Sequence, residues 1–296
     1  MLRCLVLAGA LALAACGPAE QAGETTVADA ADEPAVAVPK TVTAPDGVTI
    51  HYDDQGAGNI SVVFVHGWSC DRSYWDAQWD HFAARYRVVR VDLAGHGESG
   101  DDRAEFSMSA FGADVAAVAQ ALDLHNIVLV GHSMGGPVVL EAARLLNDRL
   151  VAVVGVDTLR SAGNSATAQQ LKERMARLDA DFVGDVRGIV TGMFVEQSDP
   201  KLRDYVVSDM SSAPPRVAKS AMVGLSSYQS VPAIAALEVP FVLINSDYRP
   251  TDQAAIQAAA NDFQYIEMTG VGHFLMMEDP EAFNAHLERV FRSLSL

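Results

Sequence analysis

The chain has little positive charge. Over 296 residues it sets 21 lysines and arginines against 38 aspartates and glutamates, for a formal net charge of −17. Nucleic-acid binding calls for a basic footprint, so that class of function is excluded. A surface of this sign is self-repelling and soluble, and it suits a generally acidic proteome, a saline setting or a place outside the cytoplasm. Cysteine is also scarce. Cys4, Cys16 and Cys70 supply no disulfide framework, and Cys70 reads as a small buried hydrophobe rather than a reactive thiol. The apolar stretch Leu5 to Ala15 is too short to span a bilayer. Internal repeats are absent, and low complexity is confined to residues 17–40.

What is present is apolar bulk. Half of the residues are hydrophobic, enough for a sizeable core. The first forty residues differ in composition from the rest, which leaves about 255 residues for one large α/β domain or one domain with an insertion.

The N-terminus reads "MLRCLVLAGALALAACGPAE". Arg3 followed by a short apolar core is the pattern of a signal peptide over residues 1–15. Leu13-Ala14-Ala15-Cys16 resembles the lipobox of bacterial lipoproteins, in which the cysteine is lipidated and becomes the first mature residue. Ordinary secretory cleavage near the same place is the alternative. Gly17, where an aspartate would retain the protein at the inner membrane, resembles lipoproteins sent to the outer membrane. The expected location is therefore the bacterial cell envelope, with the chain lipid-anchored on the periplasmic side of the outer membrane. Residues 16–40 are rich in Ala, Pro, Glu and Asp, lack aromatics and have no hydrophobic period. They read as a flexible tether; about 24 residues of such coil reach roughly 27 Å.

From residue 41 the pattern is regular. "TVTAPDGVTIHYDDQG" predicts a hairpin with a turn at Asp46-Gly47. Apolar runs "ISVVFV", "RVVRVD", "NIVLV" and "LVAVVGVD" then alternate with helical segments. Strands this apolar are buried on both faces, so the fold class is α/β, a mostly parallel sheet flanked by helices. The rhythm stops after Asp157 and resumes at "VPFVLIN". The core is thus expected at 41–159 and 239–296, with a helical insertion at 160–238. An insertion at the C-terminal ends of parallel strands lies over the place where open α/β sheets bind ligands, which makes it a candidate lid.

Chemistry is concentrated in a few short stretches. "GHSMG" (131–135) matches G-x-S-x-G between a strand and a helix, the context that gives this motif meaning. The turn is so tight that side chains at Gly131 and Gly135 would strike neighbouring backbone, and Ser133 stands exposed as the candidate nucleophile. The Met134 N–H, at a helix N-terminus, points to where an oxyanion would form. A serine hydroxyl needs a base. His273 in "GVGHF" follows the last strand, as the order Ser…Asp…His requires, whereas the other seven histidines sit in helices, in the edge hairpin or near motifs that precede the serine. The loop "HGWS" (66–69) offers the Trp68 N–H as the second oxyanion donor, and its ring as a wall of an acyl pocket or as packing. "DLAGHGESG" (92–100) reads as a structural turn, and its Ser99 lacks the elbow context.

Taken in order, "HGW", "DLAGHGESG", "GHSMGG" and "GVGHF" resemble the α/β-hydrolase superfamily, in its lid-bearing serine hydrolase and esterase branch, over residues 41–296. The resemblance implies a Ser-His-Asp triad, an acyl-enzyme, a small-molecule acyl substrate and no metal or organic cofactor. Ser133 argues against the dehalogenases and epoxide hydrolases of this fold, which carry aspartate at the elbow. Relatives usually place the acid in a Gly-x-x-Asp turn after the strand read here as "FVLIN"; this chain has "INSDYRPTD" instead. Asp247 is the expected acid and Asp157 the alternative, while Asp252 opens a helix. His132, Met193 and Phe194 are expected to join Trp68 in substrate binding, and Met175, Met210 and Met222 suggest a pliable apolar pocket, although methionine in a helical lid is as often core. The leading function is ester hydrolysis. Alternatives are a ligand-binding protein on a retained fold without turnover, or a lactonase, C–C hydrolase, thioesterase or cofactor-free perhydrolase.

Overall fold

Eight strands form one sheet in the computed structural model, which describes residues 40–161 and 166–296. The expected leader, the Cys16 anchor and the tether up to residue 39 lie outside the described residues. The strands are β1 (Lys40–Thr43), β2 (Thr49–Gln55), β3 (Ser61–Val65), β4 (Arg87–Val91), β5 (Ile127–His132), β6 (Leu150–Val156), β7 (Phe241–Ser246) and β8 (Phe263–Met268), in the spatial order β1-β2-β4-β3-β5-β6-β7-β8. The hairpin β1–β2 and the pair β2–β4 are antiparallel, and all other neighbours are parallel.

The helices are α1 (Asp76–Ala83), α2 (Met108–Ala121), α3 (Gly135–Leu146), α4 (Ala168–Ala180), α5 (Phe182–Thr191), α6 (Pro200–Ser211), α7 (Pro215–Ser227), α8 (Ser230–Ala235), α9 (Gln253–Ala259), α10 (Leu275–Glu278) and α11 (Pro280–Ser293). None of the helices among the described residues is long and apolar enough to cross a membrane.

Residue chemistry accounts for these elements. Every residue of β3, β5 and β7 is buried, as doubly covered parallel strands require. Full burial of a valine or isoleucine side chain contributes about 1.5–3 kcal/mol, so these apolar runs are the main source of cohesion. Helix α11 shows how the flanking layer is fixed. Asp279 accepts the Ala282 N–H at 3.0 Å as its cap, and Pro280 fills the first turn, where a missing N–H costs nothing. Phe283, Leu287, Val290 and Phe291 recur at helical spacing and are buried. The Phe291 ring meets Phe82 of α1 edge-on at 5.6 Å.

Among the described residues, five helices, α4 to α8, lie between β6 and β7. Parallel register brings the C-terminal ends of β5 and β6 level with Ile244 of β7, which runs two residues further: His132 pairs with Val156, and Val156 with Ile244. The ladder continues one step further, with Ser133 N–H donating to Val156 O and Asp157 N–H to Ile244 O, both at 2.9 Å. That alignment places the ends of β5, β6 and β7 side by side at one edge of the sheet.

Candidate active site

Ser133 sits where β5 turns abruptly into α3, with a left-handed φ of 54°. That conformation is strained for a residue with a side chain. It is held because the turn has no room to relax. A Cβ on Gly135 would stand 2.6 Å from Val65 O and 2.8 Å from His66 O, and one on Gly131 would strike the Gly135 carbonyl. The close approach to β3 also draws the following loop in, so that Gly67 lies against Ser133.

The Ser133 hydroxyl donates to His273 Nε2 at 2.8 Å. The imidazole in turn donates from Nδ1 to Asp157 Oδ2 at 2.5 Å. Asp157 follows β6 directly, with a φ of 46°, and its side chain is fully buried. Its other oxygen accepts the Ser246 N–H and the Ser246 hydroxyl, each at 2.8 Å, and pairs with Arg160. Burial pushes the Asp157 carboxyl up, but the bond and charge of His273, and then of Arg160, outweigh it and bring the group down to about 2. The carboxylate is therefore ionised and fixed in one orientation.

Asp247 does not face the imidazole. This corrects the expectation from sequence. Its carboxylate accepts the Gly270 N–H at 3.0 Å, and the residue is exposed. The physical reason is the pleat: successive residues at the end of β7 point to opposite sides. Ser246 is buried and turns toward Asp157, which leaves Asp247 on the outer side. Asn245 is buried and bonds the Thr158 backbone in both directions, at 3.0 Å each.

The backbone around His273 is clamped. Its N–H donates to Met193 O at 2.8 Å, and its carbonyl accepts from His132 Nε2 at 2.9 Å. Glu278 brackets it by accepting the Gly272 and Phe274 N–H groups at 3.0 and 3.2 Å. Ser198, from the inserted helices' side, donates to the same carboxylate at 2.5 Å. Glu278, Arg160 and Ser246 were not singled out from sequence. The only signals were a carboxylate five residues after the histidine, an arginine three after Asp157, and a serine at a strand end.

A cavity of about 470 Å³ opens over Ser133 and His273 and is lined by Met193, Met222, Leu225 and Tyr228 from the insertion. Of the residues expected to bind substrate, Met193 lines it. His132 does not: it is fully buried beneath His273. Phe194 stacks on Phe274 at 5.2 Å. The Trp68 ring is buried, and its Nε1–H donates to Ala218 O of α7 at 2.7 Å, so it pins the insertion to the core instead of walling the cavity. Met175 is half-buried and Met210 buried. The Trp68 and Met134 N–H groups have no acceptor among the described residues.

A model of the alpha/beta hydrolase family matches residues 62–286. Among curated proteins, a non-heme chloroperoxidase of Streptomyces lividans is 44% identical over 98 residues, 32% of this chain and 36% of that protein. A bifunctional esterase/perhydrolase of Acinetobacter calcoaceticus is 40% identical over 116 residues, 38% of this chain and 42% of that one. The match thus spans less than half the length of each of these two relatives. Among solved structures, a thermophilic esterase from Thermogutta terrifontis is 26% identical, with a TM-score of 0.77 over 87% of this chain and 99% of that one.

Proposed function

The chain belongs to the alpha/beta hydrolase family, and we propose that it is a serine hydrolase that cleaves a carboxylic ester through an acyl-enzyme. The observation that carries this reading is the line of two hydrogen bonds from Ser133 through His273 to Asp157, at 2.8 and 2.5 Å, at the floor of a cavity. The esterase names among its relatives support it.

In this mechanism the Ser133 hydroxyl attacks the ester carbonyl while His273 Nε2 takes its proton. Asp157 holds the imidazole with its proton on Nδ1 and stabilises the imidazolium as it forms. The carbonyl oxygen becomes an oxyanion and accepts from the Met134 and Trp68 N–H groups, which have no other acceptor and cost no reorganisation when charge develops. The imidazolium passes its proton to the leaving alcohol. Water, deprotonated by His273, then releases the acid and restores Ser133. The five inserted helices act as a lid, with Met193, Met222 and Leu225 as the apolar wall. The protein works in the cell envelope, tethered by lipid on Cys16, and takes small-molecule substrates.

The test is Ser133→Ala. It should lower kcat on a simple aryl ester by about 10³-fold or more and leave the folded state intact by circular dichroism. Activity near wild type would sink the assignment. One second reading has a specific observation behind it. The similarity to the chloroperoxidase and the esterase/perhydrolase favours hydrogen peroxide as an alternative acceptor. It would replace water at the acyl-enzyme and release a peracid. Peroxide-dependent peracid formation that disappears in Ser133→Ala distinguishes it from plain hydrolysis.

A further inference from the structure

The cavity over Ser133 carries charge of the opposite sign to the rest of the molecule. In a chain of net charge −17, three of its lining residues are arginines, Arg160, Arg174 and Arg249, and one, Asp157, is a carboxylate. The three guanidiniums are not equivalent. Arg160 is fully engaged. It pairs with Asp157, donates to the Ser246 hydroxyl and carbonyl, each at 3.1 Å, and bonds the Arg249 carbonyl. Its job is to fix the acid and the loop.

Arg174 and Arg249 have no such task. Neither guanidinium has a carboxylate or carbonyl partner among the described residues. The carboxylates near α4 are already taken: Asp185 by Arg177 at 3.0 Å and Asp179 by Lys219 at 2.7 Å. Glu173, adjacent in sequence, accepts from Gln169 at 2.7 Å. Among the described residues, Arg249 is steadied by the Tyr248 ring, 5.2 Å from its guanidinium carbon. That ring also carries Arg160 at 4.8 Å and stands 6.0 Å from the His273 ring. A half-buried arginine, Arg174, and an exposed one, Arg249, both uncommitted among the described residues, thus line the cavity that holds Ser133 from two different elements. Arginine is suited to this use, because its planar fork bonds a carboxylate at two points. Without a local source of positive charge, the field of so acidic a protein would repel an anionic substrate.

Building on the hydrolase reading above, we propose that the substrate is an ester bearing a free carboxylate at the end remote from the scissile bond, held by Arg174 and Arg249. The apolar wall of Met193, Met222 and Leu225 takes the short hydrocarbon between the two ends. The substrate class is then the half-ester of a small dicarboxylic acid, or an ester whose alcohol part carries an acid group.

The experiment reads binding on Ser133→Ala protein, so that it does not depend on turnover. Calorimetry compares monoethyl glutarate with its neutral counterpart, diethyl glutarate. The half-ester should bind at least about tenfold more tightly, a gain of the size expected for one charge-assisted contact. The double substitution Arg174→Gln and Arg249→Gln should abolish that difference. Equal affinities for the two esters, a preference that survives the double substitution, or no detectable binding of the half-ester at millimolar concentration would each overturn the proposal. A fluorophosphonate on the wild-type protein separates this from the hydrolase reading. A chain that selects the half-ester but ignores the fluorophosphonate binds anions without catalysis. A chain that reacts with the fluorophosphonate but does not select the half-ester hydrolyses other esters.

Discussion

The Nδ1 of His273 lies 2.5 Å from the Oδ2 of Asp157, although 116 positions separate the two residues in the chain. The contact exists because β5 and β6 end level beside β7, which lets residues that follow different strands converge on one imidazole. Asp157 has no freedom to leave: four donors hold its two oxygens.

Asp157→Asn should therefore lower kcat by about 10³ to 10⁴-fold with little change in substrate binding, because an amide in this position favours the wrong imidazole tautomer. Asp247→Asn should leave kcat nearly unchanged and shift stability by about 1 kcal/mol or less, as surface substitutions do. Steady-state kinetics on one ester checks both. The reverse ranking would show that the histidine recruits Asp247 during turnover.

Gly135→Ala tests whether the tight elbow is what aligns the site. The added methyl would sit 2.6 Å from Val65 O and 2.8 Å from His66 O. Overpacking of this kind costs about 1–3 kcal/mol. It should also displace the 66–69 loop that carries the Trp68 N–H. The expected outcome is a lower melting temperature together with a loss of kcat larger than the loss of affinity. Wild-type melting and kinetics would show that the loop yields freely.

Acid should unfold this protein readily. His66, His96 and His132 are buried, and burial lowers them to about 4, 3 and 3. Their folded values lie below the unfolded one, so their contribution is complete above pH 6.5 and is lost as pH falls toward 4. Each such histidine costs roughly 1.4 kcal/mol of stability per pH unit in that window. Asp114 works the other way. Burial, opposed by Arg103, pushes it up to about 6, so it takes up its proton in the fold first and offsets about one of the three. Asp92 and Asp209 are also pushed up by burial and offset more of the loss toward pH 4, so the fall in stability is steepest between about pH 6.5 and 5. Urea unfolding at a series of pH values measures it. A flat stability profile from pH 7 to 5 would contradict it.

Much of the architecture was legible because its signals are local. Runs such as "SVVFV" and "NIVLV" can only be doubly buried strands, and the glycines around Ser133 announce a turn too tight for side chains. The acid was harder, since its identity depends on which way side chains point at the end of β7. A one-residue change of face moved Asp247 outward and turned Ser246 inward, and no composition or spacing records that. The wall of the cavity was equally opaque. Trp68 beside a motif and Phe194 in the insertion are large apolar residues, yet packing between the insertion and the core claimed both. Arg174 and Arg249 lie 75 positions apart and come to one cavity only through the fold.

The most direct test of the central claim is covalent trapping at Ser133. The full-length protein is treated with a fluorophosphonate, digested, and the adduct located by mass spectrometry. The account predicts one phosphonyl group per chain on Ser133. Labelling should be abolished in Ser133→Ala and slowed by a large factor in Asp157→Asn, while Asp247→Asn should label at nearly the wild-type rate. An unlabelled chain, or an adduct on another serine such as Ser99, would contradict it.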